Sequence, residues 1–200
     1  MSTHTPLAIL PGLSALADRY DGYIVDLWGT VHNGVVPFDG AIACLEALRR
    51  AGKKIVMLSN APRPAHVVAG QLEGFGVSRD LHDGVMTSGE ETHRLLLERT
   101  DPWFARLGQA ALHIGGTHDL ALYEKLNIQR VPTPEEADFI VNTGPDLERG
   151  VASLDPYLPE LRASLARQLP MICANPDRAV VKGAPPQICA GAWRASHEEP

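Results

Sequence analysis

The chain is poor in cysteine, has no excess of basic residues and holds no long apolar run. Its three cysteines, Cys44, Cys173 and Cys189, are odd in number and far apart. They have neither the density of a secreted disulfide scaffold nor metal-ligand spacing, and they read as buried thiols. Eighteen Lys and Arg stand against 24 Asp and Glu, for a net charge of −6 and a pI near 5.7. With the basic residues scattered, a nucleic-acid partner and an acidic membrane surface are both excluded. No apolar stretch reaches spanning length, and Met1-Ser2-Thr3-His4-Thr5-Pro6 lacks the basic and apolar regions of a secretion signal, so a soluble cytoplasmic protein is expected. Internal repeats and low-complexity tracts are absent too. What is present is 44% hydrophobic residues in 200, enough for a proper core.

Strand and helix signals alternate. A short amphipathic helix is expected over 7–17. The apolar run Tyr23-Ile24-Val25 then ends in Asp26 and a glycine-containing turn, which places a carboxylate at the C-terminal end of a buried strand. Open parallel sheets bind ligands at such ends. Turn formers over 29–37 suggest a small hairpin flap. Ala41, Leu45 and Leu48 recur at helical spacing, with Arg49-Arg50 and Gly52 at the expected C-terminus. A second buried strand, 54–58, ends in Ser59-Asn60, and Pro62 and Pro64 open a helix that closes near Gly74. The crossover of such a unit is almost always right-handed and sets its strands parallel, so Asp26 and Ser59 project from one edge.

From about Leu81 the rhythm changes. Helices are expected at 90–99, 118–126 and 158–169, with strands at 111–114, 139–141 and 171–174. This is a second α/β unit, with a hinge over 80–84. His93, His113 and His118 lack the spacing of a metal site, and Gly115-Gly116-Thr117 is too short a glycine signal for nucleotide binding.

A carboxylate at a strand end can attack phosphorus in line, provided that a divalent cation offsets the repulsion between anions and that donors hold the phosphoryl oxygens. Ser59 and Asn60 are such donors. Taken singly, each segment reads first as turn capping.

Together the segments resemble the haloacid dehalogenase (HAD) superfamily, in particular its NagD-like class IIA branch of capped hydrolases. The resemblance is carried by Asp26-Leu27-Trp28-Gly29-Thr30, Asp39-Gly40-Ala41 and Leu58-Ser59-Asn60. Further matches are Ala51-Gly52-Lys53-Lys54, Gly74-Phe75-Gly76-Val77, Thr87-Ser88-Gly89-Glu90 and Ala174-Asn175-Pro176-Asp177. It implies an incomplete Rossmannoid parallel-sheet core over 1–82, an inserted α/β cap over 83–190, and a truncated return to the core over 191–200. It also implies a Mg²⁺-dependent phosphatase acting on a small phosphate ester or acyl phosphate of a phosphorylated metabolite. Asp26 would be the nucleophile that becomes an aspartyl-phosphate, and Ser59, Asn60 and Thr30 would serve the substrate. Mg²⁺ would rest on Asp26 and the backbone carbonyl of Trp28.

Three departures from the pattern matter. Trp28 stands where phosphatases of this superfamily place a second aspartate, the general acid, a contribution of roughly 10²- to 10⁴-fold. His32 on the flap is a candidate replacement. Aromatic residues also occur there in dehalogenases, which keeps a carbon–halogen substrate as a minor alternative. Next, the lysine and acidic motifs that follow the cap are missing. Lys182 is a candidate for the lysine, and Arg63 a further candidate for substrate contact. Last, an incomplete sheet leaves an exposed edge and apolar face, which suggests a homo-oligomer. A catalytically impaired relative, serving as a binding or assembly module, is the alternative reading.

Overall fold

The structure, a computed structural model, describes residues 10–181 and 186–193. The chain makes two parallel sheets in succession. The first contains β1 (Gly22–Asp26), β2 (Lys54–Ser59) and β3 (Gly84–Thr87), in that order. Between β1 and β2 lies α1 (Ala41–Arg50), and between β2 and β3 lies α2 (Ala65–Gly74). The register pairs Asp26 with Leu58 and Ser59 with Thr87, so all three strands end at one edge.

Strand period decides what this sheet buries. Ile55, Met57 and Ser59 of β2 point inward, while Lys54, Val56 and Leu58 point outward. Leu45 and Leu48 of α1, with Val68 and Leu72 of α2, close over Ile55 and Met57. The opposite face has no such cover among the described residues: Ile24 is 75% exposed, and Val56, Leu58 and Met86 are also open. The sequence reading of two fully buried strands is corrected accordingly, because both helices lie on one side. β3 was missed altogether. It lies beyond the expected division at 82/83, yet it pairs with β2 in the first sheet.

From β3 the chain enters α3 (Ser88–Glu98), the short α4 (Pro102–Ala105), β4 (Ala110–Ile114), β5 (Gln129–Val131), β6 (Phe139–Asn142), α5 (Leu158–Ala166) and β7 (Met171–Cys173). The second sheet has the order β5-β4-β6-β7, all parallel. It is covered on both faces, as parallel sheets usually are. Leu112, Ile114 and Ile140 pack toward Leu161 of α5, whereas Ala111, Phe139 and Val141 pack toward Leu96 of α3. Residues 117–123 form a 3-10 helix rather than the predicted α-helix, and residues 13–15 and 17–19 form 3-10 turns where one amphipathic helix was predicted. A two-stranded hairpin, β8 (Ala179–Val180) with β9 (Gln187–Ile188), follows β7.

Of the segment expected to return toward the first sheet, residues 194–200 lie outside the described residues. Trp193 is fully buried in the second core, edge-on to Tyr157 at 5.2 Å. An indole of that size finds its apolar contacts there. Among the described residues, no helix is long and apolar enough to cross a membrane.

His113 at the end of β4 gives this core a pH response. Burial pushes its imidazole down to about 4, against roughly 6.5 for the unfolded chain. The unfolded state therefore takes up the proton first, and the stabilisation present above about pH 6.5 is lost as pH falls toward 4. The full span is about 3 kcal/mol. Burial pushes Asp119 the other way, upward, which offsets part of the loss. Urea unfolding at pH 7 and pH 4.5 is expected to show a smaller difference in His113→Gln than in the wild type. An unchanged difference would show that another group sets the acid response.

Candidate active site

The C-terminal edge of the first sheet faces loops from the second unit across a cleft of about 690 Å³. Asp26, Trp28, Ser59, Asn60 and Arg63 line one wall, and Asn175, Asp177 and Cys189 line the other. Among the expected site residues, then, Asp26, Trp28, Ser59, Asn60 and Arg63 are brought together.

Asp26 is exposed at the tip of β1, and its Oδ2 accepts a long hydrogen bond of 3.5 Å from Thr30 Oγ1. Thr30 therefore borders the carboxylate without lining the cleft. Ser59 is buried at the neighbouring strand end, and its Oγ accepts a hydrogen bond from the Ala61 N–H at 3.2 Å. That contact uses a lone pair, which leaves the hydroxyl proton available to an anion. Asn60 sends its amide across the cleft to Asp177 Oδ1 at 2.9 Å.

The loop carrying these donors is pinned from below. Thr87 caps α3 by accepting from the Glu90 N–H at 2.8 Å while donating to the Arg63 carbonyl at 2.5 Å. Glu90, three residues after this cap, does not turn back to it as in a capping box. It accepts instead from the Ala65 N–H at the start of α2, at 2.8 Å, where orphan donors need partners. The Gly89 N–H donates to the Ala61 carbonyl at 3.0 Å.

Arg63 enters the cleft with its Nε 4.0 Å from Asp119 of the second unit. Asp119 is buried, and burial raises its pKa. The contact is not a hydrogen bond, since Asp119 Oδ1 has no hydrogen-bond partner, so the guanidinium donors of Arg63 remain for an anionic ligand.

His32 is placed otherwise than an exposed flap residue would be. It is buried, accepts from the Gly34 N–H through Nδ1 at 3.0 Å, and packs against Phe75 at 4.9 Å. Burial, more than nearby Arg63, lowers its pKa, although Asp26 acts in the opposite sense. The imidazole is thus neutral near pH 7, and it is not among the cleft-lining residues. The Trp28 ring lies edge-on to it at 5.8 Å. Gly34, at φ +86, sits where a Cβ would fall 2.2 Å from the indole, so the flap closes on Trp28 only because no side chain intervenes. Lys182 lies outside the described residues.

Hard oxygen donors suited to Mg²⁺ are present, but few. Among the described residues no group of three or more His, Cys, Asp or Glu converges. Asp26 offers one exposed carboxylate, and Trp28 a nearby main-chain carbonyl. Mg²⁺ commonly binds through one or two carboxylates together with substrate phosphate oxygens and retained waters, so this donor set suits a site completed by substrate, not a preformed cage. Sequence reasoning noted the segment Ala174-Asn175-Pro176-Asp177 without giving it chemistry. The contact that brings it to Asn60 spans 117 positions, beyond the reach of any local pattern.

Comparison with known proteins identifies the family and the fold. The model of one protein family, haloacid dehalogenase-like hydrolase, matches residues 23–129. The sugar-phosphatase AraL of Bacillus subtilis (strain 168) is 32% identical over 121 residues, 60% of this chain and 42% of that protein. A haloacid dehalogenase-like hydrolase from Brucella suis 1330 superposes with a TM-score of 0.81 at 37% identity, over 94% of this chain and 66% of that one. A glycerol phosphate phosphatase from Mycobacterium tuberculosis, solved with magnesium, shares the fold at a TM-score of 0.63 and 23% identity, over 91% of this chain and 52% of its own. The chain spans less than two thirds of the length of each of these relatives.

Proposed function

The chain belongs to the haloacid dehalogenase-like hydrolase family, and from that premise we propose that it is a phosphatase acting on a small phosphorylated metabolite through Asp26. The observation that carries the reading is the placement of an exposed carboxylate at the tip of β1 beside the Ser59-Asn60 donors of β2, all on one cleft. Asp26 attacks phosphorus and becomes an aspartyl-phosphate, which water then hydrolyses. Ser59 donates its hydroxyl proton to a phosphoryl oxygen, and Arg63 adds positive charge from the same wall. These groups act by position and charge, which is most of what phosphoryl transfer requires.

Asp26 and the Trp28 carbonyl would hold Mg²⁺, which when bound would offset the repulsion between carboxylate and phosphate. The second unit, which forms the far wall, is proposed as a cap that shields the reaction from water. The similarity to AraL places a sugar phosphate first among the substrates to be screened. The test is release of phosphate from p-nitrophenyl phosphate with Mg²⁺ and with EDTA, beside Asp26→Asn. Mg²⁺-dependent release by the wild type alone is expected. Equal rates in the two proteins would overturn the reading.

A further inference from the structure

The far wall brings to the cleft a carboxylate that the first unit lacks. We propose that Asp177 is the general acid and base of the reaction, filling from the second unit the role that Trp28 leaves open beside the nucleophile. The assignment rests on the reading of Asp26 as nucleophile.

Elimination among the cleft-lining residues supports it. Among the described residues, the titratable side chains there are Asp26, Arg63, Asp177 and Cys189. Asp26 is spent as nucleophile, and a guanidinium does not release a proton in a protein. Burial, with Asp177 adding to it, pushes the Cys189 thiol up to about 11, too weak an acid for the task. Asp177 remains.

Its position is fixed from several sides. Asn60, next to the phosphoryl donor Ser59, donates to Oδ1 at 2.9 Å, which leaves Oδ2 to carry a proton. The main-chain N–H of Asp177 donates to Asn175 Oδ1 at 3.0 Å, and its carbonyl accepts from the Gly191 N–H at 2.9 Å. A Cβ on Gly191 would fall 2.2 Å from the Pro176 carbonyl oxygen, so the loop is held against residue 191 as closely as a backbone allows. A catalytic group must be held in this way to act.

The proton balance is as follows. As Asp26 forms its bond to phosphorus and the bond to the leaving oxygen breaks, protonated Asp177 gives its proton to that oxygen, releasing an alcohol. The Asp177 carboxylate then takes a proton from water as the water oxygen attacks the aspartyl-phosphate. Phosphate and the free Asp26 carboxylate are released, and Asp177 is again protonated.

An amide at position 177 still accepts from Asn60 but transfers no proton, so Asp177→Asn separates acid catalysis from a mere contact between the units. The experiment measures kcat/KM along a series of esters, from p-nitrophenyl phosphate to an unactivated alkyl phosphate, for the wild type, Asp177→Asn, Asp177→Ala and Asp26→Asn. Asp177→Asn is expected to lose about 10²-fold or more on the alkyl ester, the loss shrinking steadily toward the activated ester. Asp177→Ala adds a loss that is uniform along the series. Asp26→Asn is lost throughout. A loss in Asp177→Asn that is absent, or equal for every leaving group, overturns the assignment while leaving Asp26 as nucleophile. Wild-type rates no higher than those of Asp26→Asn overturn the hydrolysis, and this assignment with it.

Discussion

Asp26→Asn is expected to lower the rate of p-nitrophenyl phosphate hydrolysis by about 10⁴-fold or more, the scale seen when a covalent nucleophile is removed, without unfolding the protein. The chemical half of this expectation follows from the attack itself: an amide oxygen at the tip of β1 is too weak a nucleophile to form the aspartyl-phosphate. The structural half follows from exposure. Among the described residues the Asp26 side chain has one hydrogen bond, 3.5 Å from Thr30, which an Asn oxygen can accept as well. Substitutions at such exposed positions usually change stability by about 0.5 kcal/mol or less. The same carboxylate is the sole protein charge offered to Mg²⁺ in this donor set, so the metal dependence of the rate is expected to disappear with it. Rates and thermal unfolding of the two proteins, measured side by side, check both halves. A large fall in melting temperature would show that Asp26 is structural, and an undiminished rate would show that another group attacks phosphorus.

Gly89→Ala is expected to damage both the fold and the site, although residue 89 does not line the cleft. A Cβ there would fall 2.3 Å from the Arg63 nitrogen and 2.3 Å from the Pro62 carbonyl carbon. These are backbone atoms, which cannot rotate away as a side chain can. The loop after β2 must move, and with it the Ala61 carbonyl that accepts from the Gly89 N–H. Overpacking of this kind costs about 1–3 kcal/mol. Because that loop begins at Asn60 and its Ala61 N–H donates to Ser59 Oγ, a shift of about 1 Å is also expected to lower activity, by roughly 10²-fold. Denaturant unfolding and kcat/KM should therefore fall together. Full activity in a destabilised variant would show that the loop yields without disturbing its donors.

Part of this site was legible locally. Asp26 and Ser59 each end an apolar run, and two such runs joined by a helix must lie parallel, so both side chains had to appear at one edge. Other features were not legible. Ile24, Val56 and Leu58 are as apolar as any core residue, and composition does not distinguish a strand covered on two faces from one covered on one. β3 is short and sits directly before α3, so its four residues read as an approach to the helix. His32 was expected on an open flap because its neighbours are turn formers; its burial depends on Phe75, Trp28 and the absent side chain of Gly34.

By itself the sequence determined the alternation of strands and helices, the strand-end position of Asp26 and the membership of a hydrolase family, because all three follow from short-range patterns: strand period, turn chemistry and motif order. Only the tertiary structure decided which residues face Asp26. The hydrogen bond from Asn60 to Asp177, the approach of Arg63 to Asp119 and the burial of Trp193 join residues far apart in the chain. Contacts of that kind are set by how two sheets pack and by which atoms can approach at glycine. No local pattern encodes them, and it is they that bring a second carboxylate, Asp177, to the cleft that Asp26 lines.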